Sequence, residues 1–556
     1  MAVVSQSGGF SHAIAEHLMQ QRCVGLSYIV SCGNQAGLTV EDYLGFLVDD
    51  EDTEVVGVFV EGFRQPDELR AVAARATERG KPIVALKVGR SENARQAMLA
   101  HTGSLAGTPE IVDAVLRQSG IVQVTSLNEM LDTLALLGAA TRYRRPGWRV
   151  CVFSGLGGEC GRVADVAERT GVDLPALSAE TVQRIASFMP DFASPRNPLD
   201  GTGAMYEDAT LFPRMFDALL ADDTIDVIAV NMRVNVPKPG GWAPSRQFSK
   251  QMREAVGGGT DRLVVAFNSF AGGDLDREVV QTLADAGVPF LEGTESAMQA
   301  LRHAREHRRF LERRRQRAAT REAGLPAAEH AADLGAARGV LSSAASMRLL
   351  REFGIPLVET VAAKTSDEAV SAAERVGYPV VLKIDSPDIL HKTDVGGVRV
   401  GAADAAAVRR ACEEMLAEVR RRAPAARIDG FVVQRMVRGG TEMILGVKRD
   451  PIFGPALVCG FGGVFVEVMR DVSIRVPPVD LHEARAMIAE LRGAALLRGA
   501  RGRQPADVEA LADTLVELAV LAEAHRDRLL ALDVNPLLVL DEGQGVVAVD
   551  WLVELA

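Results

Sequence analysis

The chain has 556 residues, enough for roughly three or four domains at about 150 residues each. Its 62 Lys and Arg against 74 Asp and Glu give a formal net charge of −12, which excludes a general nucleic-acid binder, whose surface must neutralise phosphates. Apolar residues at 47% and charged residues at 24% exclude disorder as the dominant state, no apolar run is long enough for a membrane span, and the opening MAVVSQSGGF does not read as a signal peptide.

In chain order, short β-branched runs alternate with helical stretches over the first 140 residues, the pattern of a parallel α/β sheet. The runs are Ala2–Val4, Gly25–Val30, Glu54–Val60, Pro82–Val88 and Gly120–Thr125, each apolar enough for a strand buried on both faces. A second series starts at Arg149 with RVCVFSGLGGE and continues through IDVIAVNMRV, RLVVAFNSF and GVPFLEG. Val4–Gly9 and Phe153–Gly158 share a Ser and a Gly pair at a constant offset of 149 residues. DEDTEVVGVFV is echoed by ADDTIDVIAVN, and PIVALKV by LVVAFNS, so the two series read as a duplication; two unrelated α/β domains using one strand–turn–helix solution is the alternative.

From Leu301 to about Gly335 the composition turns Arg-rich, which reads as a helix leaving the second domain and then an exposed linker with solvated charges. A third module begins at Ser342: the helix SSAASMRLLREFGIP, a short strand, the helix SDEAVSAAERVG and the apolar run YPVVLKI. Strands follow at Gly430–Met436, Glu442–Val447 and Pro455–Cys459, then a helical stretch over about Leu481–His525 and closing strands in LLALDVNPLLVL and VVAVDWLV. The expected division is 1–145, 146–300, a helix and linker over 301–337, and an α+β module over 338–556. The six Cys (23, 32, 151, 160, 412 and 459) lack paired metal-ligand spacing and read as reduced thiols of a cytoplasmic protein.

Three motifs could carry chemistry. The turn Ser5–Gly9 joins a strand to a helix, where glycine amides, the helix N-terminus and the hydroxyls of Ser5 and Ser7 suit a phosphate; ordinary capping explains the same residues. Its copy, with Gly157 and Gly158, could face the same phosphate from the other side. His101, in AHTGSLAG, lies in a small-residue loop from which an imidazole can act as nucleophile or cap a neighbouring carbonyl. In the third module Lys383 ends a strand, the loop HKTDVGGV holds His391, Gly396 and Gly397, and Asp533, Asn535 and Asp550 offer hard oxygen ligands to Mg²⁺, although Asn-Pro also favours a turn.

The motifs VSQSGGF, GNQAGLTVEDYL, AHTGSLAG, LHKTDVGGV, KRDPIFGP with GFGGVFVE, and ALDVNPLLVL, in this order and over nearly the whole chain, resemble the NDP-forming acyl-CoA synthetases, relatives of succinyl-CoA synthetase and the ADP-forming acetate–CoA ligases. The resemblance implies two flavodoxin-like parallel-sheet domains of the succinyl-CoA ligase type followed by an ATP-grasp domain. It implies the reaction carboxylate + CoA + ATP ⇌ acyl-CoA + ADP + phosphate, through an acyl phosphate and a phosphohistidine. His101 becomes the phosphorylated residue, Glu61 its orienting partner, and His391 a second phosphate carrier. Lys383, Gly396, Gly397, Gln434, Met436 and Glu442 surround the nucleotide, with Asp533, Asn535 and Asp550 close to Mg²⁺. The implied partners are a small carboxylic acid, CoA and ATP or GTP, in a homo- or hetero-oligomer. Fused members begin with a CoA-binding Rossmann domain before the VSQSG strand, whereas Met1 falls directly before that strand, so a separate CoA-binding domain or subunit is expected. Ser154-Gly155-Leu156 replaces a Thr-Asn-Ala type of turn, and Asp550-Trp551 replaces Asp-Ala. A regulatory nucleotide-binding homologue and an ATP-grasp carboxylate–amine ligase are the rival readings; neither the acid nor the nucleotide base is legible.

Overall fold

A computed structural model describes residues 1–94, 108–141, 147–236, 243–320, 337–389, 391–462, 471–499 and 504–556. The chain divides into two compact units, Met1–Pro109 with Leu116–Glu322, and Ala323–Ala556 with the short stretch Glu110–Val115.

The first unit holds two five-stranded sheets. In the first, β1 (Ala2–Ser5), β2 (Tyr28–Ser31), β3 (Val56–Val60), β4 (Ile83–Lys87) and β5 (Val122–Val124) pair in parallel in the order β2-β1-β3-β4-β5. In the second, β6 (Val150–Ser154), β7 (Leu199–Asp200), β8 (Val227–Asn231), β9 (Leu263–Asn268) and β10 (Phe290–Glu292) repeat that order, as β7-β6-β8-β9-β10. This doubly wound order is the flavodoxin-like one. The helices after the two leading strands, α1 (Gly8–Gln21) and, later in the chain, Gly157–Thr170, each have 14 residues and start 149 residues apart, so the offset read in the sequence is also an offset in structure.

Strands β1, β3, β4, β6, β8 and β9 are buried along their whole length. The expectation that every strand is buried on both faces fails at β2, an edge strand with three of its four residues exposed, because no strand among the described residues pairs beyond it. The two-residue edge strand β7 was not foreseen; a run of two carries no periodicity.

Between the sheets lie α2 (Leu127–Ala140) and, beyond α3 (Gly157–Thr170), α4 (Thr294–Thr320). Helix α2 is buried continuously from Glu129 to Leu137, with its carboxylates Glu129 and Asp132 paired to His303 and Arg22. The Arg-rich run is α4, and its first half is not solvated: Ala297, Met298, Ala300, Leu301 and Ala304 join the core, and His303 is buried against Glu129, Nε2 to Oε1 2.6 Å. Among the described side chains of the helix, consecutive ones are exposed only from Arg313 to Gln316. Sequence reading weighed the arginines and missed the small apolar stripe between them. A buried cation also joins the two sheets: Arg22, at the end of α1, donates to Asp132 of α2 at 2.7 Å and to Glu292 at the end of β10.

The second unit opens with β11 (Gly339–Val340) and contains two antiparallel sheets. The smaller comprises β12 (Thr360–Ala363), β13 (Val380–Asp385), β14 (Val398–Ala402) and β15 (Gly430–Arg435), in the order β12-β15-β13-β14. The larger takes β16 (Thr441–Asp450), β17 (Gly454–Phe461), β18 (Val472–Arg475), β19 (Leu529–Val539), β20 (Val546–Ala548) and β21 (Trp551–Leu555), ordered β11-β21-β19-β16-β17-β18 with β20 on β19. The helical stretch expected over 481–525 is broken into Leu481–Ala489, Ala494–Leu497 and Val508–Ala524. These helices cover one face of the larger sheet, where Met443, Leu445, Val447, Leu532 and Val534 lie in the core.

Candidate active site

In the first unit, Ser5 ends β1 and its hydroxyl stays local, donating to the Ser7 carbonyl at 2.8 Å and accepting from the Ser7 amide at 3.1 Å. Ser7 is the N-cap of α1 but makes no side-chain cap, and the first turn carries no acidic residue. The amides at Gly8 and Gly9 therefore keep the open donor character that helix N-termini offer to anions. A side chain at Gly9 would meet nothing within 4 Å.

Glu61 is buried just beyond β3. Gln6 joins it to the α1 turn: its side-chain oxygen accepts from the amides of Glu61 and of Gly62 (3.1 Å), and its amide group donates to the Gly62 carbonyl at 3.0 Å. The motif GNQAGLTVEDYL braces the same turn. Gln35 accepts from Val40 at 2.9 Å, and buried Glu41 accepts from the amides of Arg64 and Gln65 at 2.8 and 3.0 Å. Gln6 and Gln35 were quoted in motifs without a role; amide side chains bonding backbone across the chain leave no periodic trace. His101 lies outside the described residues.

The copy at Gly157 and Gly158 begins α3, whose N-cap is Leu156. It differs from the first. A Cβ at Gly157 would lie 2.6 Å from Asp200 Oδ2, so a carboxylate already sits by this helix end.

In the second unit, Lys383 on β13 and Gln434 on β15 occupy the face of the smaller sheet turned away from its core of Val380, Leu382, Ile384 and Val433. Lys383 Nζ donates to the Val549 carbonyl at 2.7 Å and lies 3.2 Å from Asp550 Oδ1. Burial lowers its pKa against the opposing pull of Asp550. Asp533 is paired in register with Gly446, and Asn535 donates its backbone amide to the Asp550 carbonyl at 3.1 Å. Crowding raises the pKa of the Asp533 carboxyl, the negative Asp550 adds to that, and His391 opposes it. Lys383, Asp533, Asn535, Asp550 and His391 are thus brought together. The turn expected as the alternative at Asn535-Pro536 is instead continuous strand β19.

The glycines of the HKTDVGGV loop have a packing reason. A Cβ at Gly396 would meet Glu418 at 2.7 Å and one at Gly397 would meet the Lys392 carbonyl at 2.9 Å. The amides of Gly396 and Gly397 are spent on Thr393 and Lys392, at 3.1 and 2.7 Å. Gln434 donates to Thr360 at 3.3 Å, Met436 follows β15, and Glu442 is exposed at the start of β16. Asp533 opens on a cleft of about 790 Å³ lined also by Ile444, Gly446 and Lys448. Lys448 was not foreseen; its strand alternation, with Leu445 and Val447 in the core, was the available signal.

Among the described residues no group of three His, Cys, Asp or Glu is set to hold a metal. Two carboxylates and an amide, with one carboxyl unsettled by the other, nevertheless fit a hard cation shared with nucleotide phosphates. No helix among the described residues is long and apolar enough to cross a membrane, and all six cysteines are free.

Two family models match: a succinyl-CoA ligase like flavodoxin domain over residues 1–137 and an ATP-grasp domain over 333–555. An ADP-forming acetate–CoA ligase of Archaeoglobus fulgidus is 35% identical, the match covering 98% of this chain and 77% of that one. A trans-feruloyl-CoA synthase of an unknown prokaryotic organism is 32% identical over 99% of this chain and 76% of its own length. An ADP-forming 4-hydroxybutyrate–CoA ligase of Nitrosopumilus maritimus is 30% identical, covering 98% and 76%. Two doubly wound domains followed by an ATP-grasp domain, and relatives of this extent, establish that the chain belongs to the ADP-forming acyl-CoA synthetases.

Proposed function

We propose that the chain joins a carboxylic acid to CoA with ATP, giving acyl-CoA, ADP and phosphate, and that it does so through phosphohistidine in the cytoplasm. The observation that carries this reading is the contact of Lys383 with Val549 and Asp550, a buried cation against a carboxylate that itself acts, with His391, on Asp533. A buried lysine is a point charge for the nucleotide phosphates. Asp533, Asn535 and Asp550 would hold Mg²⁺, which when bound supplies neutralising charge to those phosphates.

An imidazole nitrogen attacks the γ-phosphorus; the bond to the ADP oxygen breaks and an N–P bond forms. His391, whose charge acts on Asp533, serves as a first acceptor, and its N–P bond breaks as an N–P bond to His101 forms. His101 carries the group to the acid, oriented by Glu61 and received at the open N-terminus of α1, whose dipole suits a phosphate. A carboxylate oxygen then takes the phosphoryl group, the N–P bond breaks, and the CoA sulfur displaces phosphate from the acyl carbon, its thiol proton leaving to solvent. Gln6 and Gln35, by fixing the Glu61 turn, keep the orienting carboxylate in place.

Incubation with γ-labelled ATP tests this directly. Acid-labile, base-stable label is expected on the chain, lost in Asp533→Ala, and no longer transferred to an acid in His101→Ala. Undiminished transfer in His101→Ala would refute the carrier.

A further inference from the structure

A cavity beneath α4 lies at the end of the sheets away from the α1 turn. Residues 5–9 and Glu61 follow the carboxyl ends of β1 and β3, whereas Pro82 and Trp148, in the cavity wall, precede the amino ends of β4 and β6. Strands β1, β3 and β4 run parallel, so the turn and the cavity occupy opposite ends of the first sheet. The cavity encloses about 600 Å³, within the range of sites that take small ligands.

Its wall has two characters. Leu137 is buried, and Ala140 and Trp148 pack onto the core from this side, which gives an apolar floor with one indole. The rim is arginine: Arg79, Arg308 and Arg315. Arg79 is tied to Asp49 at 2.8 Å and Arg308 faces Glu312 at 3.5 Å. Arg315 is exposed and has no ion pair among the described residues. Helix α4 carries seven arginines between positions 302 and 315 against Glu306 and Glu312, in a chain of net charge −12. Positive charge is thus gathered here against the sign of the whole.

His307 adds an independent sign. It lines the cavity, is 9% exposed, and neither ring nitrogen makes a hydrogen bond of ordinary geometry. The Gly120 backbone acts on the ring, and burial holds its pKa down at about 4, so the imidazole is neutral at pH 7. One backbone group cannot serve two nitrogens. At least one therefore stays unused in the wall, a buried polar orphan of the kind native structures seldom leave.

We propose that this cavity is a second nucleotide site, built wholly from the first unit and separate from Lys383, with the base on Trp148 and the phosphate on Arg308 and Arg315. A guanidinium grips phosphate oxygens in pairs, and an aromatic side chain stacks on a base whatever its identity. The unused nitrogen of His307 is left for the edge of the base. A flat ring joined to a phosphate engages floor and rim together. None of the groups read as phosphoryl carriers or metal ligands lines the cavity, so a nucleotide held there is bound and not consumed.

The test uses the full chain, AMP as the probe and the fluorescence of Trp148, with Trp242→Phe and Trp551→Phe removing the other two indoles. AMP is expected to quench Trp148 saturably. In the chain with all three indoles, AMP should raise Tm, as any ligand of the folded state does, which covers misfolding of the Trp variants. Arg315→Met should weaken AMP at least about tenfold, the scale of a hydrogen bond to a charged group, while Lys383→Met leaves the quenching unchanged. Because Arg315 is exposed, its replacement spares the core. Three results overturn the site: no AMP effect on either signal, an effect lost in Lys383→Met but kept in Arg315→Met, or inorganic phosphate or adenosine matching AMP. AMP has no γ-phosphate to transfer, so each of these leaves the ligase reading untouched.

Discussion

Replacing Arg22 with Met removes the cation that bridges two buried carboxylates. Arg22 is 3% exposed, Asp132 0% and Glu292 4%, so water cannot replace the lost guanidinium. Burial works against the charge of Glu292, but His17, Arg22 and the Gly272 amide together hold its carboxyl at about 2; Asp132 is pushed upward by burial despite Arg22. Breaking such a cluster by deleting one partner costs about 3–5 kcal/mol. At about 2 °C for each kcal/mol, the value for larger domains, Tm of the first unit should fall by about 6–10 °C. The sign with pH follows. In Arg22→Met the Asp132 carboxyl, raised by burial even beside Arg22, loses its main opposing charge, so its penalty is full at neutral pH and fades as pH drops and it takes up a proton. Adding Asp132→Asn should restore part of the loss. Differential scanning calorimetry at pH 7 and pH 5 reads all three effects. A Tm within 1 °C of the parent at pH 7, or a deficit that grows on acidification, would refute the reasoning; about 1 °C corresponds to about half a kcal/mol on this scale.

Lys383→Met should raise KM for ATP and reduce phosphoenzyme formation at least about tenfold, since a buried phosphate-facing charge is worth several kcal/mol at most and rarely less than one; unchanged nucleotide affinity by calorimetric titration would speak against it. Lys448→Met should weaken ATP binding by a smaller factor, about two- to fivefold for an exposed cation, read as a KM change that high salt erases. Glu129 is held at about 2 because the hydrogen bonds of His303 and Thr125 outweigh its burial; a carboxyl lowered in the fold lends stability above its ordinary value that is lost as pH falls through the folded one. Glu129→Gln should therefore flatten the decline in stability between about pH 4.5 and pH 2, and an unchanged acid limb by circular dichroism would contradict the pairing with His303.

The fold was legible where pattern is strong. Buried parallel strands such as Val56–Val60 and Leu263–Asn268 announce themselves as apolar runs, and the shared offset of Gly8 and Gly157 marked the duplication. What escaped depends on partners distant in the chain. Edge strand β7 has two residues, the apolar stripe of α4 is hidden among arginines, and Gln6 acts on a turn 55 residues away. At the site, motif spacing offered Lys383 and the Asp533, Asn535, Asp550 set but left a turn equally open, and only the resemblance assigned their roles; the structure sets Lys383 against Asp550 and His391 where its charge acts on Asp533. The same spacing could not show that the amides of Gly396 and Gly397 are used within their own loop, nor that Asp200 stands at the start of α3. Those are facts of approach in space.

The most direct test of the account uses an acid labelled with ¹⁸O in both carboxylate oxygens, turned over with ATP and CoA, followed by mass analysis of the phosphate released. Transfer of a phosphoryl group onto the acid and its displacement by the CoA sulfur carry one carboxylate oxygen into phosphate, so singly labelled inorganic phosphate alongside unlabelled ADP is the result predicted. Label appearing in AMP, or phosphate without label while thioester forms, would contradict the acyl phosphate route.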